Sequence, residues 1–189
     1  MKIIGFIASP HRNGNTAWVV NKILEGAGEQ GAETRSWCAG DVNITPCSGC
    51  LACHNGLGKC IVNDDMQEIY TALESADALV IGSPVYMGQM SGQAKVFTDR
   101  LFAQINPRFS PHYKPRDIKM KLVLPFTQGN PNPEMFKAYF DYIKHVFELL
   151  EFDVQSVPVI TGMRSEPAQE QEGLLAAMKS IGAALVLPK

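Results

Sequence analysis

Apolar and polar positions alternate in blocks along this chain, and the blocks predict strand and helix by turns. The apolar run Ile3-Ile4-Gly5-Phe6-Ile7-Ala8 gives way to the polar stretch Ser9-Pro10-His11-Arg12-Asn13-Gly14-Asn15-Thr16, and then to helical spacing through Trp18, Val19, Ile23 and Leu24. That is strand, loop and helix, with the helix running from about Asn15 to Gln30 and Gly31 as its C-cap. A short strand follows at Glu33–Cys38, and Cys38 suits a small buried hydrophobe. Ala39 to Asn63 has no regular periodicity, and long loops of this kind are commonly functional. Asp64, with Gln67 three residues on, resembles a capping box opening a helix to about Ser75, a structural role for these acids.

The run Ala76–Gly82 predicts a strand buried on both faces. Ser83–Met90 is expected to leave it as a loop, and Ser91–Phe102 returns to helical spacing through Ala94, Phe97 and Leu101. Ala103–Lys119 carries Pro107, Pro111 and Pro115 among basic residues, and predicts an irregular insertion: a solvated loop, a lid or a subunit contact. Met120–Phe126 is the next strand and Thr127–Pro131 the loop after it. A helix from Pro133 to Glu151 has the apolar face Phe136, Tyr139, Phe140, Ile143, Phe147 and Leu150, a core stripe. Asp153–Ile160 is the last strand, with Pro158 favouring an edge, and Pro167–Leu185 the last helix. No internal repeat or low-complexity segment is visible.

Five alternations of strand and helix argue for an α/β fold, a doubly wound five-stranded parallel sheet of order 2-1-3-4-5 with helices on both faces, in a single domain over residues 1–189. Ligands of such sheets bind beyond the carboxyl ends of the strands. Ser9–Thr16, Ser83–Met90 and Thr127–Asn130 should therefore converge on one site. A helix start offers unpaired N–H groups and a positive dipole end to an anion. Ser9, Asn15, Thr16 and Arg12 add donors, although the same residues would also make an ordinary, well-capped turn.

Composition narrows the classes. The chain has 189 residues, 46% hydrophobic, with net charge -2 and sequence pI about 6.1. No basic field points to nucleic acid or a membrane surface. No apolar run approaches the roughly 20 residues of a membrane span, and no secretory signal opens the chain, so a cytoplasmic location is expected. There is no G-x-x-x-x-G-K-[ST] and no G-x-G-x-x-G after the first strand, which excludes the commonest nucleotide fingerprints. A loop suited to one monoester phosphate, together with a second (Pro84, Val85, Tyr86, Met87, Gly88) able to lie along a flat ring, fits flavin mononucleotide (FMN).

The Ser9-Pro10-x-Arg12-x-Gly14-Asn15-Thr16 loop, Gly82-Ser83-Pro84-Val85-Tyr86 and Lys95-x-x-x-Asp99-Arg100 resemble the NADPH-dependent FMN reductase family of the flavodoxin-like superfamily, over about Met1 to Ile160. The resemblance implies that Ser9, His11, Arg12, Asn13, Gly14, Asn15 and Thr16 hold the FMN phosphate. It implies that Pro84, Val85, Tyr86, Met87, Gly88, Thr127, Gln128 and Gly129 flank the isoalloxazine, with the chemistry borne by the flavin and no catalytic acid–base pair. Lys95, Asp99 and Arg100 are expected to form a structural ion-pair group. NAD(P)H is the implied co-substrate, with a small-molecule or protein acceptor and a homodimer or homotetramer.

Four of the five cysteines fall in Cys47-x2-Cys50-x2-Cys53-x6-Cys60. This spacing gathers thiolates closely and suits a cubane iron–sulfur cluster better than zinc, which favours two separated C-x2-C pairs. The arrangement resembles the iron–sulfur flavoproteins of the same superfamily, in which four cysteines bind a [4Fe-4S] cluster near the flavin. Free thiols or disulfides are the other reading, and His54 is expected at the surface rather than as a ligand. The function expected is an FMN-dependent oxidoreductase with such a cluster. The alternatives are a flavodoxin-type electron carrier, a cluster-free NAD(P)H:FMN or quinone reductase, and a zinc-loop binding module.

Overall fold

The computed structural model describes residues 1–55, 58–104 and 119–187. Most of the proline-rich insertion expected at 103–119 lies outside them. The first strand, β1 (Lys2–Ile7), is buried from Ile3 onward. It leads into α1 (Asn15–Glu29), β2 (Glu33–Cys38), α2 (Met66–Glu74), β3 (Ala78–Tyr86), β4 (Gln89–Met90) and α3 (Gly92–Arg100). Then come β5 (Lys121–Val123), β6 (Phe126–Thr127), α4 (Lys137–Leu149), β7 (Asp153–Ser156), β8 (Val159–Ile160) and α5 (Leu174–Val186).

The sheet runs β2-β1-β3-β5-β7, all parallel along this path. This is the expected doubly wound arrangement, with differences. The described residues form eight strands, not five, and β4 pairs antiparallel with the end of β3. The expected fourth and fifth strands are each cut in two, β5/β6 at Leu124-Pro125 and β7/β8 at Val157-Pro158. Proline has no N–H to give the ladder. Pairing resumes beyond each cut, with β6 beside β3 and β8 beside β6. Pro158 lies in the break between the two halves of the outermost strand, where its carbonyl accepts from Phe126 N–H (2.8 Å).

The third strand is longer than its apolar run suggested. Ser83-Pro84-Val85-Tyr86 continues β3 instead of leaving it as a loop. Ser83 N–H donates to Pro125 O across the sheet (3.0 Å). The next residue faces the β1 side, where the last bond is Ala8 N–H to Gly82 O (2.8 Å). Pro84 thus stands where its missing donor has no neighbour to serve.

Two cores flank the sheet. On one face Phe6 stacks on Phe97 with centroids 3.8 Å apart, among residues of α2, α3 and α4. On the other, Val19, Val20 and Ile23 of α1 meet Met178 and Leu185 of α5. The helices touch backbone to backbone there. A Cβ on Gly182 would sit 1.8 Å from Ile23 O, and one on Gly26 2.2 Å from Lys179 O.

Candidate functional site

The first strand ends in the polar loop, and the loop ends in an open helix terminus. Ser9 is buried and its Oγ accepts from His11 N–H (3.2 Å). Gly14 N–H closes a turn onto His11 O (3.1 Å). The N-cap of α1 is Gly14, with no side-chain cap and no acid in the first turn. The first bond into the helix is Trp18 N–H to Gly14 O. The N–H groups of Asn15, Thr16 and Ala17 precede it, and a helix cannot satisfy these from within. His11, Arg12 and Asn13 are exposed beside them.

Several of the expected donors serve the fold as well. Thr16 and Thr127 share a hydroxyl–hydroxyl hydrogen bond of 2.7 Å, which joins the first loop to the end of β6. Asn15 Oδ1 accepts from Ala168 N–H (2.8 Å). Arg12 makes an ion pair with Asp41. Ser91 Oγ donates to Ala8 O (2.6 Å), and Ser91 N–H donates to Ser83 Oγ (2.9 Å), tying in the end of β3. Gly82 lies under this junction, where a Cβ would sit 2.2 Å from Val20 Cγ2.

Gln128 is 1% exposed. Its Nε2 donates both protons, to Asn130 O and Asn132 O, and its Oε1 is buried with no partner among the described residues. A buried acceptor left unmade costs about 1–3 kcal/mol. Gly129 follows, covered by the Arg164 side chain.

The second group of expected residues forms a tight hairpin. Tyr86 pairs with Gln89 around Met87-Gly88, both of positive φ (50° and 80°), a type I′ turn. Gly88 packs toward Phe136, and Met90 N–H donates to Tyr139 Oη (3.2 Å). Pro84 is buried and Val85 half-buried, while Tyr86 is exposed and Met87 fully so. The structure therefore brings the first and third loops into direct contact. It links the second to them through Ser83 and Ser91, with the hairpin tip projecting.

The cysteine loop follows β2. Cys47 and Cys50 are exposed, Cys53 and Cys60 half-buried, and all carry free thiols. The four line one pocket of about 90 Å³, closed by Leu51, Tyr70, Arg100 and Phe102 among others. Burial pushes the Cys53 thiol up, and the other three thiols add to it. Cys50 is pulled down by hydrogen bonds from the Ala52 backbone and Ser48. Among the described residues, no three His, Cys, Asp or Glu converge closely enough to hold a single metal ion. The cysteines surround a space rather than a point.

Arg100 fastens this loop. The sequence grouped it with Lys95 and Asp99, but only those two pair, on the surface (2.7 Å). Arg100 turns inward to Asp64 (2.6 Å), with side chains 1% and 4% exposed. Its Nη1 also donates to Thr45 O (2.7 Å), while Asp64 accepts from Thr45 N–H (2.8 Å). His54 is half-buried instead of lying free on the surface. It bonds Phe102 O (2.8 Å) and packs on the Phe102 ring. Gln67 does not complete a capping box, because its Nε2 turns to Cys60 O and Val62 O.

Burial tends to raise the Asp64 pKa, but hydrogen bonds from Arg100, Thr45 N–H and Met66 N–H hold it below the ordinary carboxylate value. Its contribution to stability is present above the unfolded-state value, about 3.9, and is lost as pH falls through the lower folded value. Each pKa unit of depression is worth about 1.4 kcal/mol. Urea midpoints of the wild-type protein should fall more steeply below about pH 4 than those of Asp64→Asn.

The family profile for NADPH-dependent FMN reductases matches residues 1–169. This chain belongs to that family. The reductase-family chain is 41% identical over 100 residues to iron-sulfur flavoprotein MJ1083 of Methanocaldococcus jannaschii, covering 53% of this chain and 51% of that protein. It is 37% identical over 100 residues to an iron-sulfur flavoprotein of Methanosarcina thermophila, covering 53% and 52%. It spans about half the length of the curated relatives it matches.

Among solved structures, the family chain superposes on an NAD(P)H:quinone oxidoreductase from Methanothermobacter marburgensis, with TM-score 0.79, 16% identity and coverage of 100% and 98%. It also superposes on an FMN-dependent NADH-azoreductase from Bacillus anthracis in complex with FMN, with TM-score 0.71, 14% identity and coverage of 99% and 100%. These likenesses establish the fold. Among the described residues, no helix is long and apolar enough to cross a membrane.

Sequence reasoning missed Asp64 and Tyr70 as neighbours of the cysteine loop, and the inward turn of Arg100. The one available signal was Arg100 closing an otherwise amphipathic helix, where its partner 36 residues away was invisible. It also missed a mostly apolar cleft of about 310 Å³ between the loop after β2 and α3, lined by Phe6, Val42, Ile44 and Val96.

Proposed function

We propose that this chain is an FMN-dependent oxidoreductase passing electrons between NAD(P)H or a protein donor and an acceptor, with a [4Fe-4S] cluster on the cysteine loop. The observation that carries the flavin reading is the uncapped start of α1, joined through Thr16–Thr127 to the buried Gln128 Oε1, which has no partner among the described residues. The first suits a phosphate and the second a hydrogen-bond donor of the same ligand.

Bound FMN supplies hydride acceptance and one-electron release, which no side chain can. The chain's part is positional. The N–H groups of Asn15, Thr16 and Ala17 would hold the phosphate, with Ser9, His11, Arg12, Asn13 and Gly14 around it. Pro84 to Gly88 and Thr127 to Gly129 would border the ring, where backbone N–H groups at Met87–Gly88 and Gly129 would bond its polar edge. The exposed hairpin tip leaves room for a nicotinamide to approach.

The cluster reading rests on the donor set. Cys47, Cys50, Cys53 and Cys60 are four thiols on the wall of one largely apolar pocket, the ligand type and number of a cubane. A single tetrahedral zinc needs sulfurs about 2.3 Å from one point, a closer gathering than this. Cytoplasmic location and a homodimer or homotetramer are part of the same proposal.

The test is an anaerobic absorption spectrum of the purified chain with iron and acid-labile sulfide assayed on the same sample. The expected result is two resolved flavin bands, broad thiolate-to-iron absorption and about four irons per chain after reconstitution. Anaerobic NADH or NADPH should bleach the flavin bands. Flavin that neither nucleotide reduces would make the protein an electron carrier instead. A chain that takes up no added FMN would overturn the flavin reading, and one that takes up no iron would overturn the cluster.

A further inference from the structure

We infer that Arg100 both positions the cysteine loop and sets the reduction potential of the iron–sulfur centre, an assignment that rests on the cluster reading above. Two observations carry it. The first is reach. The guanidinium donates to Thr45 O, two residues before Cys47, and to both carboxylate oxygens of Asp64, four residues after Cys60 (2.7, 2.6 and 3.1 Å). One side chain holds both ends of the segment that carries all four thiols.

The second is orientation. Arg100 and Tyr70 form part of the wall of the thiol pocket, and Asp64 does not. Tyr70 Oη accepts from Arg100 Nε (3.3 Å) and donates to Arg100 O (2.7 Å), which fixes the guanidinium on that side. Of the ion pair, Arg100 is thus the member on the wall of the thiol pocket, and Asp64 lies outside that wall. The pocket's other charged wall residue, Asp99, is half-exposed and spends its charge on Lys95.

The sign follows from electrostatics. Gaining one electron adds one negative charge to a centre already ligated by thiolates. A buried cation on its wall favours that reduced form and raises the potential. Groups just outside the ligands act on a metal centre in this way. Removing the cation should lower the potential. Removing the anion behind it should raise it.

The experiment uses the full chain, reconstituted with iron and sulfide. The cluster's one-electron midpoint potential is read by electron paramagnetic resonance during a redox titration, with iron per chain assayed on every sample. Arg100→Gln should lower the reduction equilibrium constant at least tenfold, about 59 mV. Asp64→Asn should raise it, and Arg100→Lys should stay within roughly threefold of wild type, since the charge remains.

A wild-type potential in Arg100→Gln overturns the assignment. So does a shift of Arg100→Gln and Asp64→Asn in the same direction, because mere loosening of the loop would move both alike. If Arg100→Gln fails to fold, Asp64→Asn decides, and absence of a rise overturns the assignment. A wild-type chain holding no iron would overturn the cluster reading, and this proposal with it, before any variant is compared.

Discussion

Asn15→Asp is expected to weaken FMN binding at least a hundredfold while leaving the apoprotein slightly more stable than before. Asn15 opens α1, and its Oδ1 accepts from Ala168 N–H at 2.8 Å. Aspartate is nearly the same shape and keeps that acceptor. It also places a full negative charge in the first turn, where the wild type has no acid. For the apoprotein this is favourable by about 0.3–1 kcal/mol, through the helix dipole. For a phosphate at the same helix start it is repulsive. A unit charge at roughly 5 Å with an effective dielectric near 20 costs about 3 kcal/mol. That is a little over two decades in Kd. Quenching of flavin fluorescence on titration, alongside thermal melting without flavin, separates the two effects. Unchanged affinity would mean that the phosphate is held elsewhere.

Gly182→Ala should lower the melting temperature by roughly 4–8 °C. Alanine is the better helix former by about 1 kcal/mol, so intrinsic propensity alone favours the change. Packing opposes it, because the added Cβ would lie 1.8 Å from Ile23 O and 2.8 Å from Ala27 N. Both are backbone atoms of α1 that cannot move aside as a side chain would. Overpacking at the upper end of its usual range, about 3 kcal/mol, outweighs the gain. Gly28→Ala is the control. It lies in the same helix pair, where an added Cβ meets nothing within 4 Å. It should raise the melting temperature slightly, and a fall there would mean that the close approach of α1 and α5 is not the cause.

The first half of the chain was the more legible. Glu33–Cys38 was read to the residue, and the first helix to within one residue of its end, because alternation and a Gly at the C-terminus speak locally. Legibility failed where distant partners decide. Ser83-Pro84 looked like a loop, yet Pro125 O draws Ser83 into the sheet, and β1 ends before it can require a donor of Pro84. Asp64 looked like a helix cap, and its side chain does accept from Met66 N–H, but most of its bonds go to Arg100 and Thr45. At the candidate site, residue types were readable from the first and third loops. The orphaned Oε1 of Gln128 was not, since only the folded chain commits its Nε2 to Asn130 and Asn132.

The way the cysteine loop is fastened bears on how the proposed cluster would be taken up. Arg100 grips Thr45 and Asp64, Asp65 and Asn43 bond each other, Gln67 holds the Cys60 and Val62 carbonyls, and His54 holds Phe102 O. None of these bonds involves sulfur. In a zinc finger the metal supplies the folding energy, and the apo chain is unfolded. Here nitrogen and oxygen groups of the chain itself make the bonds that fasten the loop. For the cluster proposed above, assembly would then be an insertion into a loop already fastened, and iron starvation is expected to accumulate a folded, thiol-bearing precursor rather than a chain destined for proteolysis.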